Sequence, residues 1–327
     1  MSLKNKKIFI TGGAGFIGTA LIGRLIENNK ICVYDTFRRN ALKGTPYINH
    51  ANISLMQGDV LDEKKLKSAI RGSDIVMHLA AIAGIDTVIK SPTSTMEVNM
   101  IGTRNVVKAS AELGKVERFI DFSTSEVYGS YAYKMEEASS TEMGAVGEAR
   151  WTYAISKLAG EHLAHSYYKE FGLPAISLRP FNIYGPGQVG EGAIHVFVTR
   201  ALENQEIYII GDGDQIRSWC YIDDIVEAVL RCLEKKEAVG EVFNIGNPRG
   251  TLTILSLAQK IIELVASKSE IVFKPKSYVD VALRMPDIEK ARRILGYKPK
   301  IGLDEGLKRT TDWYKTKMQS ELREHPV

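Results

Sequence analysis

A tyrosine and a lysine four residues apart, Tyr153 and Lys157, are the residues whose types and spacing best suit proton transfer. On a helix this spacing brings both side chains to one face. A lone tyrosine titrates near about 10, which is too high for a base at neutral pH, but a neighbouring cation favours the phenolate and lowers that pKa. The pair therefore predicts a proton acceptor for an alcohol that loses a hydride, although the same spacing also arises by chance on solvated helices.

Three glycines near the N-terminus, Gly12, Gly15 and Gly18, have the spacing of a dinucleotide-binding turn. They follow the short apolar run 7–10, and a helical pattern begins at Phe16, which is the strand–turn–helix order that this motif requires. The absent side chains allow a tight turn and a close approach of backbone to a pyrophosphate, and the helix N-terminus offers free N–H groups to the phosphates. The alternative is a purely structural loop.

An acidic residue ends the second predicted strand, 31–35, and bears on whether the cofactor is NAD or NADP. Asp35 stands 17 residues after Gly18, where a carboxylate can bind both adenosine ribose hydroxyls and repel a 2′-phosphate. The sequence therefore favours NAD over NADP. Arg38 and Arg39 act against this choice, because arginines can host such a phosphate.

Strands and helices alternate through the first half of the chain. Apolar runs over 54–59, 75–81 and 118–122 predict strands, and 96–113 has the spacing of an amphipathic helix. This alternation predicts an α/β fold with a Rossmann-type, doubly wound parallel sheet. Ligands of such sheets bind beyond the carboxyl ends of the strands.

Residues at those strand ends are the predicted cofactor contacts. Asp59 and Val60 are placed to reach the adenine, and the small residues after 75–78 allow close passage along the cofactor. His78 is interpreted as a buried core histidine and not as a catalyst. The full predicted cofactor-binding set is Gly12, Gly15, Phe16, Ile17, Gly18, Asp35, Asp59, Val60, Leu79, Ala80, Ala81, Tyr153 and Lys157.

Composition and charge exclude several other classes of protein. The net charge of +4 over 327 residues is mild and spread along the chain, so we expect no nucleic-acid partner. No apolar run approaches the roughly 20 residues of a membrane helix, and no signal peptide is visible, so we expect no membrane partner. The three cysteines lack metal-ligand spacing, which predicts a cytoplasmic protein without a metal site.

Four motifs in order resemble the extended short-chain dehydrogenase/reductases that act on nucleotide sugars, the NAD-dependent epimerase/dehydratase family. They are the glycine turn, the Tyr153–Lys157 pair, Arg-Pro-Phe-Asn-Ile-Tyr-Gly-Pro at 179–186 and Arg-x-x-x-Tyr-x-x-Asp at 217–224. The resemblance spans 5–315. It implies NAD-dependent oxidation of a nucleotide hexose at C4, a second step on the ketone and often return of the hydride. It also implies a homodimer formed through two helices, 96–113 and 151–171.

The second step depends on the loop that follows the strand 118–122. This loop carries Thr124, Ser125 and Glu126, and an acid at the last position is typical of 4,6-dehydratases and UDP-glucuronate decarboxylases, whereas plain 4-epimerases usually lack it. Arg150-Trp151 and the run 284–287 (Arg-Met-Pro-Asp) also resemble decarboxylases. Ser125 stands where dehydratases of the dTDP type carry an aspartic acid.

The preferred hypothesis is decarboxylation of UDP-glucuronate to UDP-xylose or its 4-keto form. Tyr153 takes the C4 hydroxyl proton, Thr124 relays it, and Lys157 holds the cofactor ribose and lowers the phenol pKa. The resulting β-keto acid loses carbon dioxide, while Ser125 and Glu126 position the carboxylate or handle the C5 proton. Glu126 is then either protonated in the complex or a charge that destabilises the substrate anion.

Three alternatives remain open. In a 4,6-dehydratase Glu126 would remove the C5 proton, and in a 4-epimerase Tyr153, Thr124 and Lys157 alone would suffice. In a protein of another class, a non-catalytic dinucleotide sensor, the tyrosine or the lysine is generally lost, and this chain keeps both.

The second half predicts a nucleotide-sugar-binding lobe. Asn182 is expected to face the diphosphate or the nicotinamide edge, and Arg217 and Arg284 to clamp the diphosphate, with the uronate carboxylate as another target for Arg217. Asp223-Asp224 opens a predicted helix, and its carboxylates are interpreted structurally, as N-terminal capping and stabilisation of the helix dipole. Helices are also predicted over 251–265 and 304–314.

The resulting domain limits are soft. We predict an NAD-binding domain over 1–178, to which segments near 214–245 return, a nucleotide-sugar-binding α/β lobe over 179–315, and a frayed tail over 316–327.

Overall fold

Strands and helices alternate through most of the chain. The structure is a computed structural model and describes residues 3–276 and 278–324. In chain order, its strands are β1 (Lys7–Thr11), β2 (Lys30–Asp35), β3 (Ile53–Gln57), β4 (Ile75–His78), β5 (Arg118–Phe122), β6 (Tyr131–Met135), β7 (Ala175–Pro180), β8 (Ile183–Tyr184), β9 (Ile207–Ile210), β10 (Ile216–Ser218), β11 (Cys220–Tyr221), β12 (Val242–Ile245), β13 (Thr251–Thr253), β14 (Ile271–Lys274) and β15 (Leu283–Pro286). Its α-helices are α1 (Phe16–Leu25), α2 (Glu63–Ala69), α3 (Ile85–Lys90), α4 (Pro92–Met96), α5 (Gly102–Leu113), α6 (Thr152–Phe171), α7 (Ala193–Leu202), α8 (Ile222–Glu234), α9 (Ile254–Val265), α10 (Glu289–Leu295) and α11 (Leu303–Glu324). Within these described ranges, no helix is long and apolar enough to cross a lipid bilayer.

Seven parallel strands form the central sheet, in the order β12-β7-β5-β4-β1-β2-β3. Strand β1 lies between β4 and β2, with Ile8 opposite Ile75 on one side and Ile31 on the other. The chain winds outward from β1 to β3 in one direction and from β4 to β12 in the other, so the strand order reverses beside β1. This is the Rossmann-type doubly wound sheet that the sequence predicts, and the reversal opens a crevice at the carboxyl ends of β1 and β4.

Apolar clusters cover both faces of the central sheet. Along β1, Ile8 and Ile10 face one cluster and Phe9 faces the other, because successive side chains of a strand point to opposite sides. Val76 and Phe119 of the neighbouring strands pack with Phe9. Strands buried on both faces read as continuous apolar runs, and this explains why the sequence alone could identify them.

A smaller α/β lobe is built mainly from the second half of the chain. Its four-stranded sheet has the order β13-β10-β15-β6, and β6 comes from the first half. Strand β12 crosses in the other direction: it follows α8 and pairs with β7 in the central sheet, with Phe243 opposite Leu178. The short pairs β11-β8 and β14-β9 complete the described strands of the lobe.

Three predicted segments differ in the structure. The single helix predicted over 96–113 consists of α4, a π-helical turn at Glu97–Ile101 and α5 in succession. The frayed tail predicted over 316–327 is wrong for its described part, since α11 continues to Glu324, and 325–327 lie outside the described residues.

The helix predicted over 251–265 begins three residues later, at Ile254. The hydroxyl of Thr253 accepts a hydrogen bond from the backbone N–H of Ser256 at 3.0 Å and so caps α9, while 251–253 pair with β10 as a strand. The capping hydroxyl, and not the apolar spacing, therefore sets the boundary.

Candidate active site

A continuous cleft follows the carboxyl ends of the central strands. Its two adjoining parts have volumes of about 440 Å³ and about 390 Å³ and share the lining residues Gly12, Gly15, Phe16 and Leu79. We call the part that holds Asp35 the cofactor cleft and the part that holds Tyr153 the reaction site. The cleft lies at the strand-order reversal, where doubly wound sheets bind their ligands.

The glycine turn leaves no room for side chains. Gly12 has a φ of +68°, and a Cβ built on it would lie 2.5 Å from the backbone nitrogen of Ala80. A Cβ on Gly18 would lie 2.6 Å from the carbonyl oxygen of Gly13, so α1 packs directly against the turn. The turn therefore brings bare backbone and the N-terminus of α1 to the cofactor cleft, and this fits the pyrophosphate of a dinucleotide.

Asp35 is fixed at the opposite wall of the cofactor cleft. Its carboxylate accepts hydrogen bonds from the backbone N–H groups of Ala14 at 3.0 Å and Phe37 at 2.9 Å. Burial raises the pKa of Asp35, and these two hydrogen bonds oppose the rise. The acid is thus held in place at the position that suits ribose hydroxyls and repels a 2′-phosphate.

Arg38 and Arg39, which the sequence sets against NAD, both line the cofactor cleft, but Arg39 already has partners within the protein. Its guanidinium donates to the carbonyl of Ala83 at 3.2 Å, to the hydroxyl of Thr87 at 3.3 Å and to Glu191 at 3.3 Å. These bonds engage the Arg39 guanidinium with the protein itself, so a 2′-phosphate would have to compete with them for it.

The structure brings all the predicted cofactor residues to the two parts of the cleft. Those lining the cofactor cleft or the reaction site are Gly12, Gly15, Phe16, Ile17, Gly18, Asp35, Asp59, Val60, Leu79, Ala80, Ala81, Tyr153 and Lys157. His78 is a buried core histidine, as expected. Its Nδ1 lies 2.7 Å from the hydroxyl of Thr11 and its Nε2 lies 2.9 Å from that of Thr103.

Tyr153 and Lys157 stand on one face of α6, opposite the turn that follows β5. Thr124, Ser125 and Glu126 of that turn line the same reaction site. Thr124 anchors the turn, because its hydroxyl accepts from the backbone N–H of Glu126 at 3.2 Å. The five predicted catalytic side chains are therefore assembled around one space.

The expectation that Lys157 lowers the pKa of Tyr153 is wrong for the protein alone. Burial, and after it the negative charge of Glu126, raise the pKa of Tyr153 to about 12, although a hydrogen bond with Thr124 opposes the rise. Burial lowers the pKa of Lys157, and the carboxylates of Asp121 and Glu161 oppose that change. Lys157 therefore interacts electrostatically with the carboxylates of Asp121 and Glu161.

Glu126 is held by two arginines. Arg150 donates to both carboxylate oxygens, at 3.1 Å from Nη2 to Oε1 and at a shorter separation from Nη1 to Oε2. Arg284 Nη1 lies 3.4 Å from Oε1. Burial alone would raise the pKa of Glu126, but Arg284 and Arg150 outweigh it and lower the value to about 2. Glu126 is therefore ionised in the protein without substrate, and its protonation in the complex stays a prediction.

A third guanidinium adjoins these two. Arg217 of β10 lies directly opposite Arg284 of β15 and pairs with Asp280 at 3.3 Å. We call Arg150, Arg217 and Arg284 the arginine cluster. Burial and the neighbouring charge of Arg284 lower the pKa of Arg217 to about 10. Three cations face two carboxylates here, so the cluster carries excess positive charge.

Arg284, in the wall of the reaction site, has N–H groups without a hydrogen-bond partner in the described part of the chain. It is 5% exposed, and its Nε and Nη2 atoms are buried without a hydrogen-bond partner among the described residues. Unpaired buried donors are costly, and native proteins usually satisfy them with a ligand, an ion or water. The arrangement suits a bidentate anion beside Tyr153.

Other predicted contacts have structural partners. The Asn182 side chain lines the reaction site, but its Nδ2 donates to the carbonyl of Ser218 at 2.8 Å. Asp223 and Asp224 lie in the first turn of α8, as interpreted, where their charges favour the helix dipole. The carboxylate of Asp224 accepts from the backbone N–H groups of Lys300 at 2.8 Å and Ile301 at 3.3 Å. Contact of Asn182, Arg217 and Arg284 with a diphosphate stays a prediction.

Sequence reasoning missed several functional candidates. Asp280, Glu191 and Asp121 gave no motif signal, and Arg150 was noted only through a resemblance. Asp280 and Arg150 are far apart in the chain, and the fold brings the charge of Asp280 close enough to act on Arg150.

Comparison with known proteins agrees with the site. The chain matches the family described as the NAD-dependent epimerase/dehydratase family over residues 8–246. It is 34% identical to a UDP-N-acetyl-α-D-glucosaminuronate decarboxylase of Bacillus cytotoxicus, covering 95% of this chain and 98% of that one. It is 35% identical to a human dTDP-D-glucose 4,6-dehydratase, covering 95% and 90%.

A solved structure extends the comparison to the fold. The UDP-glucuronic acid 4-epimerase of Bacillus cereus, crystallised with UDP-glucuronic acid and NAD, superposes with a TM-score of 0.87 at 31% identity, over 95% of this chain and 99% of that one. These relatives are named for three different reactions: decarboxylation, 4,6-dehydration and 4-epimerisation.

Proposed function

The chain belongs to the NAD-dependent epimerase/dehydratase family and is an NAD-dependent enzyme of nucleotide sugars, and we propose that it decarboxylates a UDP-hexuronate. The observation that carries this proposal is the arginine cluster beside Tyr153, with the unpaired Nε and Nη2 of Arg284. UDP-glucuronate and UDP-N-acetylglucosaminuronate are the two substrates that we put first, the second because of the Bacillus cytotoxicus relative.

A sugar carboxylate matches the free donors of the cluster. A guanidinium binds a carboxylate through two parallel N–H···O bonds, and Arg284 offers an Nε/Nη2 edge for that purpose. We propose that Arg284 takes this role in place of the predicted diphosphate contact, which is left to Arg217 and Asn182. A neutral C6 hydroxymethyl group would then leave the buried donors of Arg284 without an anionic partner. The site therefore favours an acidic sugar over a neutral one.

The side chains support oxidation at C4. We propose that Tyr153 accepts the C4 hydroxyl proton, that Thr124 relays it and that Lys157 holds the ribose of the cofactor. When bound, NAD supplies the hydride acceptor and a positive charge that favours the phenolate over the phenol. The positive charge of bound NAD would lower the pKa of Tyr153, which the protein by itself raises.

Decarboxylation follows from the chemistry of the ketone. With C4 as a carbonyl, the uronate is a β-keto acid: the C5–C6 bond breaks, its electron pair moves to the C4 oxygen, and carbon dioxide leaves. The C5 carbon then takes one proton. We propose that Ser125 and Arg284 hold the carboxylate at departure, and that Glu126 keeps Arg150 and Arg284 in place. A negative Glu126 close by also disfavours the substrate anion and so favours its loss.

The dehydratase alternative needs Glu126 as a base at C5. A carboxylate with a pKa of about 2 is a poor base at neutral pH, and both arginines would have to release it. A second candidate is epimerisation of the same acidic sugar, since the arginine cluster would also bind the substrate named for the Bacillus cereus neighbour.

Several coarser features complete the proposal. We propose a homodimer through α5 and α6, in support of which Met100, Ile101 and Ile155 of this region are exposed apolar residues.

Free thiols at Cys32, Cys220 and Cys232 support a cytoplasmic location. The division into an NAD-binding domain over 1–178, a lobe over 179–315 and a terminal segment is retained as a proposal, with β12 in the central sheet and β6 in the lobe sheet.

Product analysis tests the proposal. The pure protein is incubated with NAD and, separately, with UDP-glucuronate, UDP-N-acetylglucosaminuronate, UDP-glucose and dTDP-glucose, and the products are weighed by mass spectrometry. We expect the mass of one UDP-hexuronate to fall by that of carbon dioxide where the hydride returns to C4, or by that of carbon dioxide and two hydrogen atoms, with one NADH formed, where the 4-keto product is released. Loss of water from dTDP-glucose would favour the dehydratase, and isomerisation of UDP-glucuronate without a change in mass would favour the epimerase.

A further inference from the structure

Three separate segments meet through one carboxylate above the cofactor cleft. Glu191 lies in the loop between β8 and α7, and its Oε2 accepts from the backbone N–H of Asp86 at 2.9 Å. Its Oε1 accepts from the Thr87 hydroxyl of α3 in a short hydrogen bond and from Arg39 Nη2 at 3.3 Å. Arg39 follows β2, so the contact joins parts of the chain separated by more than a hundred residues.

Each joined segment also contributes to the lining of the cofactor cleft. Arg39, Thr87 and Ala83 line it directly, and Val189 does so from the loop that carries Glu191. Arg39 also donates to the carbonyl of Ala83 at 3.2 Å and so binds the segment that precedes α3. The contact network thus crosses from one wall of the cleft to the other.

The backbone is shaped to admit this carboxylate. Gly84 precedes α3 with a φ of +102°, and a Cβ built on it would lie 2.6 Å from the Glu191 carboxyl group. The Glu191 and Arg39 side chains are 29% and 38% exposed, so water reaches the ion pair and the network can open without unfolding the core.

We propose that Glu191, Thr87 and Arg39 form a clasp that retains NAD in the cofactor cleft, with Glu191 as its central positioning residue. The proposal goes beyond the sugar reaction, because it concerns release of the cofactor and holds for any second step. Glu191 need not touch the cofactor, since it acts by tying the loop of Val189 to α3 and to Arg39.

Release of NADH tests the clasp without any sugar. Protein loaded with NADH is mixed with excess NAD, and the decay of bound-NADH fluorescence gives the dissociation rate. Glu191→Gln removes a charge that accepts three hydrogen bonds, so we expect release to be about 10-fold or more faster. The matched control is Glu227→Gln on α8, an acid of the same 29% exposure that pairs with Arg231 away from the cleft, and its release rate should equal that of the unmodified protein.

Two further measurements keep the test decisive. Raising the salt concentration should speed release from the unmodified protein but not from the Glu191→Gln variant, because an exposed ion pair is screened by salt. If Glu191→Gln does not fold, Thr87→Val removes one partner of the same carboxylate and should also speed release. Folded Glu191→Gln and Thr87→Val proteins that release NADH at the unmodified rate would overturn the clasp.

Discussion

Replacing Arg284 by glutamine tests how the site recognises its substrate. Arg284 contributes one N–H to Glu126 at 3.4 Å and keeps Nε and Nη2 unpaired in the wall of the reaction site. If these two donors bind the sugar carboxylate, Arg284→Gln removes both the charge and the two-pronged geometry. The substitution leaves Arg150 on Glu126, so the turn after β5 keeps one of its two ionic anchors.

The size of the effect follows from the bonds that are lost. A hydrogen bond between charged groups contributes about 1.5–3 kcal/mol, and about 1.4 kcal/mol corresponds to a factor of ten. Loss of one such bond should lower kcat/KM for a UDP-hexuronate about 10- to 150-fold, and loss of both should lower it further. Binding of UDP-glucose, which has no carboxylate, should change less than threefold.

Kinetics and binding are measured side by side. Release of carbon dioxide gives kcat/KM for the UDP-hexuronate, and calorimetry gives the affinity for UDP-glucose. Arg284→Lys keeps the positive charge but loses the two parallel N–H donors of the guanidinium, so we expect it to recover part of the activity. Arg309→Gln on α11, at an arginine that is 46% exposed and pairs with Glu305, is the control and should behave like the unmodified protein.

The reasoning is refuted if Arg284→Gln folds normally and keeps its kcat/KM for every UDP-hexuronate. It is also refuted if the affinity for UDP-glucose falls by the same factor, because Arg284 would then stabilise the pocket and would not bind a sugar carboxylate.

Three further perturbations test other parts of the account. Tyr153→Phe should lower kcat by about 100- to 10,000-fold while NADH affinity measured by fluorescence stays within about threefold, and near-normal turnover would show that another group takes the proton. Gly12→Ala should abolish NADH binding in the same titration, because the new Cβ would lie 2.5 Å from the Ala80 nitrogen, and an unchanged affinity would contradict the tight turn. Glu126 has a folded-state pKa lowered to about 2, so its stabilising effect is present above about pH 4.5 and is lost as the pH falls toward 2. Urea unfolding should accordingly show the stability advantage over Glu126→Gln shrinking by about 3 kcal/mol across that range, whereas a difference independent of pH would refute the ion pairs.

Local spacing predicted the cofactor half of the site well. The glycine turn and the acid of Asp35 depend on short stretches of chain, and the alternation of strands and helices fixes where those stretches end. The Tyr153–Lys157 pair likewise depends on one turn of one helix, α6.

The substrate half was less predictable, because it depends on contacts between distant segments. Arg217 and Arg284 become neighbours only through the pairing of β10 with β15, and Arg150 reaches Glu126 only through the packing of α6 against the turn after β5. The raised pKa of Tyr153 follows from burial, which spacing does not reveal. A short list of motifs therefore identified residues that the structure brings to one cleft, but neither their partners nor their charges.

The fate of the sugar carboxyl carbon tests the central claim most directly. UDP-glucuronate and UDP-N-acetylglucosaminuronate are prepared with a heavy carbon isotope at C6 and incubated with the protein and NAD in a sealed vessel. The account predicts that the isotope leaves one of them as carbon dioxide, at a rate that Arg284→Gln lowers at least tenfold. Complete retention of the isotope at C6 while either sugar is epimerised, or while a neutral hexose is turned over instead, would contradict it.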